Sequence, residues 1–306
     1  MFKIRIYEEA KNLLKGAVET HIHLNPHVRS EDHMMDALEY ANQARDAGMK
    51  AVVIKNVGIP STGAAYFVNK IVNGFECYGS VAMNICNGGI NPALIEHAVN
   101  HGDGARIVFF PVADSLNHAI AREKYYKGIN PPTPREKALT IFDNNGNILP
   151  EVFEVLEIVK THDRCINTAH LSPKEVKALI KEAKKIGIKK IIVSHGMWKI
   201  MGHTRNDLKE YADLGAFIEF EFYLCQAMMQ YIHGHPPVNE VDMLETMYYI
   251  GIDHSIMSTD MGQSYSPNPI DGLRSFIASM LRCGAKPDEI KTMVQRNPSF
   301  LIGLQL

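Results

Sequence analysis

The feature that most constrains this chain is a recurrence: a short β-branched run, a loop, a helical period and a glycine, again and again. Eight candidate strands follow, at Ala17 to Leu24, Ala51 to Val57, Glu76 to Asn84, Arg106 to Val112, Cys165 to Leu171, Lys189 to His195, Ala216 to Tyr223 and Asp253 to Asp260. Between them lie helical patterns such as His33 to Ala47, Asn91 to His101, Pro173 to Ile186, Val238 to Ile250 and Ile270 to Arg282. Their punctuation agrees: Ser172-Pro173 places an N-cap before a first-turn proline with Glu175 close behind, and Gly48, Gly187 and Gly251 each end a helix. Parallel neighbours need a crossover helix, and eight such units close on themselves. The expected fold class is therefore α/β, a single (β/α)8 barrel of the TIM type. Its 306 residues exceed the usual domain length. Barrels routinely do so, and no composition break divides the chain, so 1–306 reads as one domain.

Strand starts are regularly spaced except between strands four and five. The extra residues, about 113–150, contain Gly128-Ile129-Asn130-Pro131-Pro132-Thr133-Pro134 and Asn144-Asn145-Gly146-Asn147, a proline-stiffened loop and a tight-turn sequence expected to form a small hairpin. Because the insert follows a strand, it rises from the face where barrel enzymes keep their sites, either as a lid or as surface ornament.

With 32 basic and 34 acidic residues the net charge is −2, and no run of one sign offers a footprint for nucleic acid. A hydrophobic share of 46% excludes a disordered chain. No eighteen apolar residues adjoin and no signal peptide is read, which argues against a membrane partner. The scattered cysteines (Cys77, Cys86, Cys165, Cys225, Cys283) form no CxxC pair, so a reducing cytoplasm is the expected location. There is no GxGxxG after the first strand, no P-loop and no serine elbow.

In a barrel, chemistry gathers at the carboxyl ends of the strands. Here those ends read Glu19-Thr20-His21-Ile22-His23, Ile54-Lys55-Asn56, Asn167-Thr168-Ala169-His170, Val193-Ser194-His195 and Met257-Ser258-Thr259-Asp260. His21 and His23, two apart on a strand, face the same way and can chelate one ion. Closure brings Asp260 of strand eight beside them, with His170 and His195 approaching from the far wall. Imidazoles plus a carboxylate suit a divalent metal, zinc first, with manganese, iron or nickel in a more open site, and one or two ions.

The remaining candidates are weaker. Lys55 can be carboxylated and bridge two metals, stay cationic and hold an anionic substrate group, or pair with an acid at the rim. His27 and Arg29 follow strand one, His203 and Arg205 follow strand six, and Tyr223, His233 and His235 end or follow strand seven. Among these Arg29, His27 and His203 are the substrate-binding candidates. His97, His101, His162 and His254 fall away from the rim and read as structural. Glu219 and Glu221 share one strand face and either join the site or pair with a base in the barrel wall. Met228, Met229, Met243 and Met247 are spaced like ordinary helix core residues.

This constellation resembles the amidohydrolase superfamily of metal-dependent TIM-barrel hydrolases across essentially the whole chain. The likeness rests on His21-Ile22-His23, His170, His195, Asp260 and a closing helix with Arg296-Asn297-Pro298 before Phe300-Leu301-Ile302-Gly303-Leu304. The stretch from Asn167 to Glu175, with Ser194-His195-Gly196, resembles an uncharacterised branch of it. The resemblance implies that His21, His23 and His170 are metal ligands and that Asp260 is a ligand that also shuttles the proton. It makes His195 a second-metal ligand or a group that polarises the substrate. One element departs: binuclear members usually carry a bridging carboxylated lysine or glutamate on strand four, which here reads Ile107-Val108-Phe109-Phe110-Pro111-Val112.

The expected function is a metal-dependent hydrolase acting on a small amide, lactone, ester or phosphoester, with Asp260, His195 and Lys55 as the catalytic residues. Two alternatives stand beside it. The run His21-Ile22-His23-Leu24-Asn25-Pro26 is similar to the opening of the superfamily's decarboxylases, and the missing strand-four ligand allows a barrel that binds metal without catalysis. The expected partner is a small molecule, and barrels of this kind often associate as homo-oligomers.

Overall fold

A computed structural model of the chain describes residues 2–27, 33–125 and 133–305. Its strands are β1 (Val18–Ile22), β2 (Ala51–Ile54), β3 (Glu76–Ala82), β4 (Ala105–Phe109), β5 (Cys165–Asn167), β6 (Ile191–Val193), β7 (Phe217–Glu221) and β8 (Ser255–Ser258). They lie in sequence order in one parallel sheet, each hydrogen-bonded to the next. β1 meets the end of β8 through a parallel bridge between Ile22 and Met261, with the His23 N–H donating to the Met261 carbonyl (2.9 Å) and the Asp260 N–H to the His21 carbonyl (2.9 Å). The expected barrel is thus present.

Several strands are shorter than the apolar runs that announce them, and the loss falls at their carboxyl ends. Cys165 to Leu171 reads as one strand, yet only Cys165–Asn167 pairs. Just beyond the ladders Ala169 (φ 49°), His195 (φ 57°) and Asp260 (φ 53°) adopt left-handed backbone, which side-chain-bearing residues occupy at a cost. The chain leaves the sheet there and turns its polar groups over the barrel.

β1 meets β8 at a seam, and its pairing with β2 on the other side is irregular. The β1–β2 register shifts between Glu19 and Ile22, and the neighbouring residues Thr20 and His21 both reach Glu219 across the barrel. Such a bulge re-aims side chains beside active sites. The buried Glu19 carboxyl stitches the irregularity, accepting the N–H groups of His21 (3.0 Å) and Thr259 (3.3 Å). Gly262 (φ 129°) follows, and a Cβ there would lie 1.7 Å from the His23 carbonyl oxygen, so no other residue fits.

Below the site the barrel is filled by an apolar plug that includes Val53, Ile107, Phe109, Cys165, Ile192 and Ile256, closed from beneath by Leu301 and Ile302 of the helix Asn297–Ile302. The outer helices start and stop as their sequences direct. Asp36 caps Ala37–Asp46 and Ser172 caps Pro173–Lys185, each in a reciprocal box with Glu39 or Glu175. Gly48 and Gly187 follow the ends of these two helices in left-handed conformation. A helix at Phe2–Leu14, absent from the strand-and-helix count, precedes β1 and buries Leu13 and Leu14.

The insert holds more regular structure than its prolines suggest. It opens with a helix, Leu116–Tyr125, that the loop reading omits, and includes the expected hairpin, where Phe142 and Ile148 pair antiparallel around Gly146. Glu175 anchors it, accepting from the Thr140 hydroxyl (2.7 Å) and the Ile141 N–H (3.1 Å). Residues 128–132 of the proline-stiffened loop lie outside the described residues.

Candidate metal centre

At the carboxyl end of the strands lies a cavity of about 390 Å³, and the side chains expected there from the strand-end reading converge on it. His21 Nε2 and His23 Nε2 each lie 3.0 Å from the same oxygen, Asp260 Oδ1. His195 Nδ1 stands 3.9 Å from Asp260 Oδ2, and its buried Nε2 has no hydrogen-bond partner. Lys55 is 1% exposed, with Nζ 2.6 Å from His21 Nε2 and 5.1 Å from the centre of the Phe109 ring.

Two acids of β7 orient these imidazoles. Glu219 Oε2 lies 2.9 Å from His21 Nδ1, and its carboxylate also accepts from Thr20 and Ser194. Occupying Nδ1 leaves Nε2 as the donor that faces Asp260. Glu221 accepts the His195 N–H (2.6 Å) and stands 3.2 Å from His195 Nδ1. Both glutamates therefore face the site rather than a base in the barrel wall.

The electrostatics divide the imidazoles: burial and Lys55 oppose charge on His21, but Asp260 and Glu219 outweigh them and raise it to about 9, so an ion bound there displaces a proton. Burial pushes His23 down to about 4 and His195 to about 3, so both imidazoles are neutral, electron-pair donors at neutral pH. Burial also lowers the Lys55 amine, which neighbouring acids only partly offset. For Asp260, burial opposes ionisation, but His21, His23 and His195 hold the carboxyl well below its ordinary value. Glu219 is likewise penalised by burial yet held at about 2 by His21 and Ser194.

His21, His195 and Asp260 offer ligand atoms within 4.8 Å of one another, and His23 joins them through its contact with Asp260. A tetrahedral zinc ion with bonds of about 2.0–2.1 Å separates its donors by roughly 3.3 Å, close to the 3.0 Å contacts here. Two imidazoles, a third with an orphaned nitrogen, and one carboxylate fit a divalent ion.

His170 shares the cavity but not this cluster. Its Nδ1 turns to His118 Nδ1, 2.8 Å away, and the two rings stack at 4.7 Å. The strand-four position holds Phe109, whose ring lies 5.9 Å from that of His21 and offers no ligand. His27 lines the cavity, its Nε2 3.3 Å from His23 Nδ1. His203 does not: it sits edge-on to Tyr211 outside the cavity lining, where burial lowers it to about 4. Arg205 is drawn off to Asp242 (3.7 Å), and Arg29 lies outside the described residues. Tyr223 and His233 bond across the wall (2.9 Å), while His235 accepts from the Trp198 indole (2.9 Å) behind it. The four histidines read as structural stay off the cavity, His254 for instance bonding the Ala216 carbonyl (3.0 Å).

Strand-end reasoning misses His118, Arg122, Trp198, His33, Gln263 and Tyr265, all of which line the cavity from loops or from the insert helix. His118 had a discoverable trace: it lies in the insert after strand four, on the face already expected to carry the site.

A family model described as a family of unknown function, DUF6282, matches residues 16–219. The chain belongs to DUF6282. No curated protein matches this DUF6282 chain significantly. Among solved structures it is similar to a lactonase from Listeria monocytogenes (13% identity, TM-score 0.60, 96% of this chain and 97% of that one). It is similar also to an organophosphorus hydrolase from Deinococcus radiodurans (14%, 0.60, 96% and 94%) and an amidohydrolase from Pseudomonas aeruginosa (12%, 0.61, 96% and 99%). The DUF6282 chain thus has the fold of amidohydrolase-superfamily barrels, as its strand-end motifs imply. Among the described residues no helix is long and apolar enough to cross a membrane.

Proposed function

We propose that the protein is a metal-dependent hydrolase of small carbonyl or phosphoryl substrates that carry negative charge. The observation that carries this reading is the approach of two Nε2 atoms to one Asp260 oxygen, with Glu219 fixing the ring of His21. The lactonase and organophosphorus hydrolase that share the fold support the reaction class. His21, His23 and Asp260 would hold the ion, with His195 completing the set. A divalent ion bound there brings the pKa of water toward neutrality and polarises the oxygen of the scissile bond.

Asp260 Oδ2, turned from the oxygen that meets the two histidines, takes the proton of the attacking water and returns it to the leaving group. His195 steadies the negative charge that develops on the substrate oxygen when it is not itself a ligand. Lys55 and Arg122 line the cavity with seven histidines, and among the described lining residues Asp260 is the one acid. With the imidazoles of His23 and His195 neutral, Lys55 and Arg122 are the basic side chains against that one acid, which favours a substrate with an anionic group. With Phe109 at the strand-four position and His170 paired to His118, one catalytic ion suits the donor set better than two.

Loading the metal-free chain with zinc and assaying lactones, esters, amides and phosphoesters tests the reading. Asp260→Asn should keep its ion while turnover falls about 10³-fold, the scale of a lost general acid–base. Wild-type turnover in the loaded variant, or full activity in chelator, would refute it.

A further inference from the structure

A second group of imidazoles lines the same cavity. His23, His27 and His33 each present a ring nitrogen within 4.8 Å of the other two. His23 Nδ1 and His27 Nε2 are 3.3 Å apart, which matches the roughly 3.3 Å between donors on a tetrahedral zinc ion. The His27 and His33 rings overlap with centroids 4.4 Å apart.

The backbone holds the group in place. Asn25, two residues before His27, donates its N–H to Met35 (3.0 Å) and its side-chain amide to the His33 carbonyl (2.9 Å). Asn56 donates to the Pro26 carbonyl (2.7 Å), and His33 bridges Gln263 while Met34 donates to Gly262 (2.7 Å). The three rings are thus carried by two chain segments pinned to each other and to the end of β8. Rigid placement of donors is what a metal site requires.

We propose that His23 Nδ1, His27 and His33 form a second transition-metal site, distinct from the centre at His21 and Asp260. All-imidazole ligation selects zinc, copper, nickel or cobalt over calcium or magnesium. His23 belongs to both sites, with Nε2 toward Asp260 and Nδ1 toward His27. When both are filled its ring bridges them as an imidazolate, releasing one proton to solvent. The inference depends on the hydrolase reading only for the role of His23 Nε2.

Equilibrium dialysis of the metal-free chain against Co²⁺, read by elemental analysis and visible absorption, tests it. The wild type should hold two equivalents, and His33→Ala and His27→Ala one each. His21→Ala should lose the other equivalent and keep this one. An equivalent count that is the same in the wild type and in His33→Ala, whether one or two, overturns the proposal. Retention of both by His21→Ala would instead overturn the hydrolytic centre alone. Should either variant fail to fold, a cobalt anomalous map of the wild type decides: a peak bonded to His27 and His33 is expected, and its absence contradicts the site.

Discussion

At the amino-terminal end of the barrel, Val53, Ile107, Cys165, Ile192 and Ile256 pack on one another and on Leu301 and Ile302. A few residues further along the same strands stand Lys55, His170, His195 and Asp260, buried and polar, with Ala169, His195 and Asp260 in left-handed backbone. The first end stabilises the fold by removing apolar surface from water. The second works against it, since burying ionisable groups and holding non-glycine residues at positive φ both cost free energy. The comparison teaches that the plug supplies the stability that the candidate site draws down.

The largest effect should come from emptying the plug. Ile107→Ala removes buried aliphatic volume and should cost about 2–5 kcal/mol in denaturant unfolding, while the ion affinity of the folded protein stays unchanged. Lost metal binding at temperatures where the variant is folded would show that the two ends are not separable.

Next in size is the support beneath the centre. Glu219→Gln removes the charge that fixes His21 and should weaken zinc binding about 10–100-fold in a chelator competition. Unchanged affinity would mean that His21 is held by other contacts.

The seam supplies a third test, read as a pH dependence. Burial raises the Glu19 carboxyl from 4.5 to about 8. A folded-state pKa raised above the unfolded one gives stability that is complete below pH 4.5 and is lost as pH rises through about 8. Glu19→Gln resembles the protonated form and keeps the oxygen that meets His21 and Thr259. It should melt above wild type at pH 9 and equal it at pH 5. A variant that melts lower at pH 9 would show that the seam needs the charge.

The same contrast explains what could be read from the sequence. The strands and their order were legible because Ile107, Ile192 and Ile256 recur inside a regular alternation with helices. His21, His23, His195 and Asp260 were legible because strand ends concentrate at one rim. The bulge at Thr20 and His21 was not, since it depends on how β1 pairs with β2 rather than on any local pattern. His118 escaped because the helix Leu116–Tyr125 that carries it was read as part of a loop, and His33 because a loop residue has no side-chain period to place it; His203 misled because a rim loop also buries residues against its own helix, here on Tyr211.

The central claim is that a cation binds where β1 and β8 converge, and anomalous diffraction from zinc-loaded crystals tests it most directly. The account predicts a peak about 2.0–2.2 Å from His21 Nε2, His23 Nε2 and an Asp260 oxygen. A fully loaded protein with no peak bonded to those three residues would contradict it.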